Sequence, residues 1–272
     1  MRSFNALACA GWYRLAAGEW LLHSRFTQAI NYSRSDGELL TVFRHGKGVG
    51  PMGLVLSARN FSHFADVTRV VKCDDGLIAQ GRFVRVRREL LLRSTPGAMR
   101  CPDLSLYCQP SGLCGPLNQL RPCPQLQNAL AQWFSGETPD LRQLIGRGPG
   151  LTPSGDDMLT GMLAVLFASH YASQLLERVF LPPVDQLMLL TTSVSCSYLN
   201  SARRGEFSTT VLRVLRSLQA GGDPQPAIQR LLSVGHTSGA DILVGMVMAL
   251  QGLHAVDLRW CYARSGDNSH IY

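Results

Sequence analysis

In the run GRFVRVR, valines at 84 and 86 alternate with arginines at 85 and 87, the two-residue rhythm of a strand with one wet face. Short apolar runs between turn residues predict strands over 29–33, 38–43, 67–72, 77–79 and 82–87. Asp36-Gly37 and the stretch 74–76 supply the turns, because aspartate and glycine tolerate the positive φ of a tight hairpin. From about residue 122 the apolar spacing changes to three and four. That rhythm predicts helices over 126–134, 140–145, 157–169, 185–202, 210–219, 226–233 and 241–254. The expected class is α+β: an antiparallel β-rich lobe over 1–118, then an α-helical lobe over 119–272, with the Pro- and Gly-rich stretch 110–124 as the boundary.

Composition narrows the classes without choosing one. Hydrophobic content of 46% and charged content of 17% fit a packed globular chain rather than a disordered one. The longest apolar runs, 158–168 and 242–250, fall short of the roughly 20 residues that span a bilayer, so no membrane helix is expected. The opening MRSFNALACAGWYR is broken by Trp12, Tyr13 and Arg14 and does not read as a secretion signal; the expected location is the cytoplasm. Eight cysteines at irregular spacing read as reduced thiols. Seven histidines without HxxxH or HExxH spacing predict no dedicated metal site.

The net charge of +7 is carried almost entirely by arginine, since Lys47 and Lys72 are the only lysines. Guanidinium forks suit carboxylate and phosphate, which makes small acidic substrates the natural partners. Nucleic acid is not expected, because the arginine runs at 82–88 and 203–204 lack interleaved aromatics.

The candidate chemistry gathers at GRGPGLTPSGDDMLTG, residues 146–161. Ser154 followed three residues later by Asp157 is a capping-box spacing, and Thr152-Pro153 is an alternative cap. SGDDMLTGM from Ser154 returns as SGADILVGM from Ser238, six identities in nine positions at an offset of 84. Each string is the start of a helix, and a glycine-rich start leaves amide N–H groups at the positive end of the dipole. The candidate substrate-binding residues at the two starts are therefore Arg147, Gly148, Gly150, Thr152, Ser154, Gly155, Asp157, Thr237, Ser238, Gly239 and Asp241. Packing alone is the competing explanation, with Gly161 and Gly245 letting a second helix come close.

Asp156 and Asp157 would repel such an anion. If Asp157 caps the helix, Asp156 is left to act as a general base, orient a substrate N–H, hold a divalent cation with Asp157, or remain a solvated first-turn acid. His236 is the other candidate for proton transfer. The hydroxyl-rich run 191–207 places Ser195, Tyr198 and Ala202 on one helical face, so Ser195 and Tyr198 are candidate binding groups; no base at a recognisable spacing makes Ser195 a nucleophile. HGKGVGPMG at 45–53 either lets backbone approach an anion or forms a mobile hairpin connection.

Three strings, GxGPGLTPSGDDxLxGML at 146–163, TTxVSxSYLxxAxxGxF at 191–207 and LxxxGHTSGADxLxG at 231–245, resemble the AllH family, the small subunit of bacterial oxamate carbamoyltransferase. SDGELLT and GxGxGP at 35–51 add weaker support. The resemblance implies a subunit of a three-subunit enzyme that interconverts oxalurate plus phosphate with oxamate plus carbamoyl phosphate in allantoin degradation. It implies two partner subunits and a small anionic substrate, and no established catalytic residues. No cofactor is expected beyond a divalent metal at Asp156 and Asp157. The alternative within that family is a non-catalytic subunit that binds an anion or completes the assembly.

Overall fold

The computed structural model describes residues 2–46 and 48–266. Its first part is one nine-stranded sheet: β1 (Arg2–Asn5), β2 (Ala8–Ala10), β3 (Gly18–Arg25), β4 (Ala29–Ser33), β5 (Leu39–Arg44), β6 (Gly53–Leu56), β7 (Arg69–Cys73), β8 (Gly76–Ala79) and β9 (Arg82–Arg85), with a short helix α1 (Ala58–Ser62) after β6. The spatial order is β1-β9-β8-β7-β3-β4-β5-β6-β2. The two edge strands are consecutive in the chain, with only Ala6 and Leu7 between them. A link that short forces the sheet to curl until its edges meet, which disposes of both open edges. Ala6 N–H to the Arg85 carbonyl and Leu7 N–H to the Val55 carbonyl, both 2.9 Å, are the seam. Trp12, Trp20, Ile30, Tyr32, Leu54 and Phe64 fill the interior.

Most pairs are antiparallel, as expected, but β1–β9 and β5–β6 are parallel. The sheet is therefore mixed. The first comes from the N-terminal strand closing the curl; the second joins β5 to β6 through the glycine-rich connection rather than a hairpin. Part of that connection is taken up by packing against the helical lobe. Val49 N–H donates to Thr209 Oγ1 at 3.0 Å, Thr209 N–H donates back to the Val49 carbonyl at 2.9 Å, and a side chain on Gly50 would meet the Tyr198 hydroxyl at 2.8 Å. Its glycines admit the helical lobe; Lys47 lies outside the described residues.

The strand core ends at Val86, and beyond it Leu92, Tyr107, Cys114 and Leu117 pack into the helical core. This stretch includes a two-stranded hairpin, β10 (Pro110–Ser111) with β11 (Gly115–Pro116). The helices are α2 (Pro124–Phe134), α3 (Ser154–Phe167), α4 (Ala172–Glu177), α5 (Val184–Leu190), α6 (Ser193–Ala202), α7 (Thr209–Ala220), α8 (Gln225–Leu232) and α9 (Ser238–Gly266). Residues 140–145, expected as a helix, form turns in which Leu144 and Ile145 N–H both close on the Leu141 carbonyl. The helix expected over 185–202 is two, because the Thr192 hydroxyl accepts from Ser195 N–H and starts α6 afresh.

α3 and α9 are the centre of the lobe. α3 is buried from end to end, and α9 contains the one stretch among the described residues, Ser238–Val256, long and apolar enough to cross a membrane. The run-length expectation missed it because Asp241 and Gln251 bound the run of apolar letters. That stretch is 72% buried within the protein, so packing against α3 accounts for its composition. At the crossing, a Cβ on Gly161 would run into the Ile242 carbonyl oxygen and a Cβ on Gly245 into that of Met158. Residues 161 and 158 are offset by 84 from 245 and 242. The repeat thus packs against itself, each copy offering the other the same glycine and the same carbonyl, as across a two-fold axis.

Candidate functional site

Because the helices cross on their repeated glycines, their N-terminal ends meet. The Thr152 hydroxyl lies 3.0 Å from the Ser238 hydroxyl. The expected capping box does not form. Pro153 is the cap of α3 and no side chain bonds there; Ser154 is already helical, its Oγ buried without a partner. Several of the first-turn amides are engaged as well. Gly155 N–H donates to the Arg147 carbonyl at 2.9 Å, so the glycine loop curls back and caps the helix with its own backbone. In α9 Gly239 N–H donates to the Val234 carbonyl at 3.1 Å and Asp241 N–H to that of Thr237 at 2.9 Å. Gly155 and Gly239 are close-packing positions rather than ligand contacts, since a Cβ on either would strike the Leu144 or Leu231 carbonyl oxygen.

The three acids of the repeat have different surroundings. Asp156, 1% exposed, is not free: its Oδ1 accepts Gly146 N–H at 2.9 Å, and its Oδ2 accepts the Ser195 hydroxyl at 2.5 Å and the Thr191 hydroxyl. Burial raises its pKa, against the pull of those three donors. It ties the glycine loop to α6, and this corrects the expectation of an unengaged base. Asp157, 7% exposed, has one carboxylate oxygen, Oδ2, enclosed and unpartnered. Burial holds its pKa well above the carboxylate range; the Ser238 and Thr152 hydroxyls oppose this, and the charges of Asp241 and Asp156 reinforce it. Asp241, 0% exposed, accepts the Ser111 hydroxyl at 2.7 Å and Gly112 N–H at 2.9 Å on Oδ1, and its Oδ2 is unpartnered.

Two loops, before residue 154 and over residues 233–237, lead into these helix starts. Arg147, Gly148 and Gly150 from one loop and His236 from the other are exposed; Thr152, Thr237 and Ser238 beneath them are half-buried. Gly148, with φ of 111°, sits where a Cβ would be 2.7 Å from Ser154 N; only glycine allows the loop that close in that conformation. Tyr198 is half-buried beside the glycine connection of the sheet, its pKa pushed up to about 12 by burial and then by the charge of Asp157. Ser195 faces inward to Asp156 and offers a ligand nothing. The structure therefore brings Thr152, Ser238 and Asp157 together, sets Gly148 against Ser154, leaves Arg147, Gly150 and His236 exposed on the loops before the two helices, and withdraws Asp156, Ser195, Gly155 and Gly239 into packing.

Thr191, Gly146, Ser111 and Gly112 complete the network and were not singled out from the sequence. Thr191 stood in the hydroxyl-rich run, whereas Ser111-Gly112 lay in a stretch that composition marks only as a connection. A divalent cation at Asp156 and Asp157 does not fit this arrangement, because both Asp156 oxygens face hydrogen-bond donors that a cation would have to displace. Among the described residues no three His, Cys, Asp or Glu side chains gather as a ligand set.

No solved structure matches the chain. Residues 144–250 match the family model described as oxamate carbamoyltransferase subunit AllH, and residues 5–91 match the AllH family N-terminal domain. The first match contains both helix starts and α6; the second covers the curled sheet. The chain belongs to the AllH family and, as the family's description states, is a subunit of an oxamate carbamoyltransferase.

Proposed function

We propose that this subunit holds the small anionic substrate of its carbamoyltransferase at the mouth shared by the two helix starts. The reaction is the interconversion of oxalurate plus phosphate with oxamate plus carbamoyl phosphate, in allantoin degradation in the cytoplasm, with two other subunits. A phosphate oxygen attacks the carbamoyl carbon of oxalurate, the bond from that carbon to the oxamate nitrogen breaks, and the nitrogen takes a proton. Arg147 supplies a fork for carboxylate or phosphate. His236, exposed on the facing loop, is the group placed to exchange that proton with solvent, and Asp156 positions the Arg147 loop through Gly146.

The observation that carries this reading is the 3.0 Å approach of the Thr152 and Ser238 hydroxyls, which makes one mouth of two loops 86 residues apart. The test is the melting temperature of the full chain with carbamoyl phosphate. Ligand at 100 times its Kd stabilises by about 2.7 kcal/mol, and Arg147→Ala and His236→Ala should each weaken the shift. No shift in the wild-type chain would overturn the reading.

That negative result would favour a non-catalytic subunit that completes the assembly. One observation leans that way: the Gly155 amide and the Oδ1 of Asp241 are already satisfied by the chain itself.

A further inference from the structure

The repeat makes the surroundings of Asp157 and Asp241 comparable residue by residue, since the two are offset by 84 and their helices cross on offset-matched glycines. On one side, the turn between β10 and β11 reaches Asp241 with two donors, the Ser111 hydroxyl and Gly112 N–H. The fit is close: a Cβ on Gly112 would stand 3.3 Å from Asp241 Oδ2 and would overlap the Ser154 hydroxyl. On the other side Asp157 is flanked by the start serine of the opposite helix, Ser238, and by Thr152. Among the described residues no N–H donates to Asp157, and its Oδ2 is enclosed and unpartnered in a side chain only 7% exposed. A buried carboxyl oxygen with no donor loses the hydrogen bond it had in water. Gly150 and His236, in the loops before the two helices, are exposed. The chain has therefore given Asp241 an N–H of its own beside a hydroxyl, whereas Asp157 has hydroxyls and no N–H; Oδ2 is unpartnered on both acids.

We propose that Asp157 receives an N–H of the substrate's primary amide or ureido group, with the Ser111–Gly112 turn on Asp241 as the internal counterpart of that ligand. The donor enters by displacing the Thr152–Ser238 hydroxyl pair, and the ligand's carboxylate or phosphate stays in the mouth at Arg147. This makes Asp157 a specificity residue: the site accepts a small anion carrying an amide N–H and rejects its methyl analogue, which would leave the oxygen unpaired. The inference rests on the mouth being the substrate site, and the experiment separates the two.

Oxamate and pyruvate differ by an amide NH2 against a methyl group at nearly the same size. Calorimetric titration of the full chain should show oxamate binding about tenfold or more tighter than pyruvate, the difference one hydrogen bond to a buried carboxyl makes. In Asp157→Ala the preference should fall to within about threefold, while Asp241→Ala should lower the melting temperature and keep the preference. Equal binding of both ligands by the wild-type chain overturns this inference and leaves the anion mouth standing. Binding of neither removes both. Should Asp157→Ala fail to fold, the two ligands compared on the wild-type chain still decide the matter.

Discussion

Asp156 and Asp157 are neighbours in the chain and are put to opposite uses. Asp156 is held by three donors, whereas Asp157 keeps an oxygen without one. From the sequence both are simply first-turn acids; which of them faces the glycine loop depends on a rotation of about 100° per residue around α3. The difference has a pH signature. Folding raises the pKa of Asp157 above its unfolded value of about 3.9, so its contribution favours the folded state most below that value. The contribution is lost as pH climbs through the raised pKa. Asp157→Asn removes that loss. In melts from pH 4 to pH 8 the variant's melting temperature, relative to wild type, should rise with pH. A difference that stays flat or falls would mean that Asp157 does not titrate abnormally.

At the scale of elements, strands and helices with one clear face were legible: Ala29–Ser33 and Pro124–Phe134 lie where their apolar spacing places them. Strand β3 was not, because its residues are exposed, half-buried and buried in irregular turn. The Ser238–Gly266 helix was legible only in part, since its stretch Ser238–Val256, 72% buried, has little polar face to reveal its period. The repeated glycines were visible in the sequence, and packing was weighed for them there. The structure decides for packing at Gly161, Gly245, Gly155 and Gly239, and keeps Gly148 for the mouth. Gly161→Ala and Gly245→Ala should each destabilise the protein by about 3 kcal/mol, because the added methyl meets backbone carbonyl rather than a movable side chain. Denaturant melts check this, and the double variant should lose less than the sum, since both sites relax the same crossing. Strict additivity would contradict the shared contact.

Across the whole molecule, the two lobes are held by a buried acid among arginines. Glu206, after α6, bonds Arg14 of the strand lobe at 2.5 Å and lies 3.5 Å from Arg204 and 3.6 Å from Arg93. The arginines are 46%, 34% and 56% exposed, so solvent screens much of this energy. Glu206→Ala should still cost about 2 kcal/mol, because it leaves three guanidinium groups facing one another. A melting temperature unchanged from wild type would show that the cluster holds nothing. No local pattern foretold this junction, which joins residues 192 positions apart. The same is true of the mouth. Its residue types were readable, but their meeting depended on the fit of α3 to α9.

The most direct measurement of that meeting is a crystal of the full chain soaked with carbamoyl phosphate. The account predicts density between Thr152 and Ser238, bounded by Arg147 and His236, with the ligand's NH2 on Asp157. Ligand bound elsewhere on the chain, or a mouth that stays empty at saturating concentration, would contradict it.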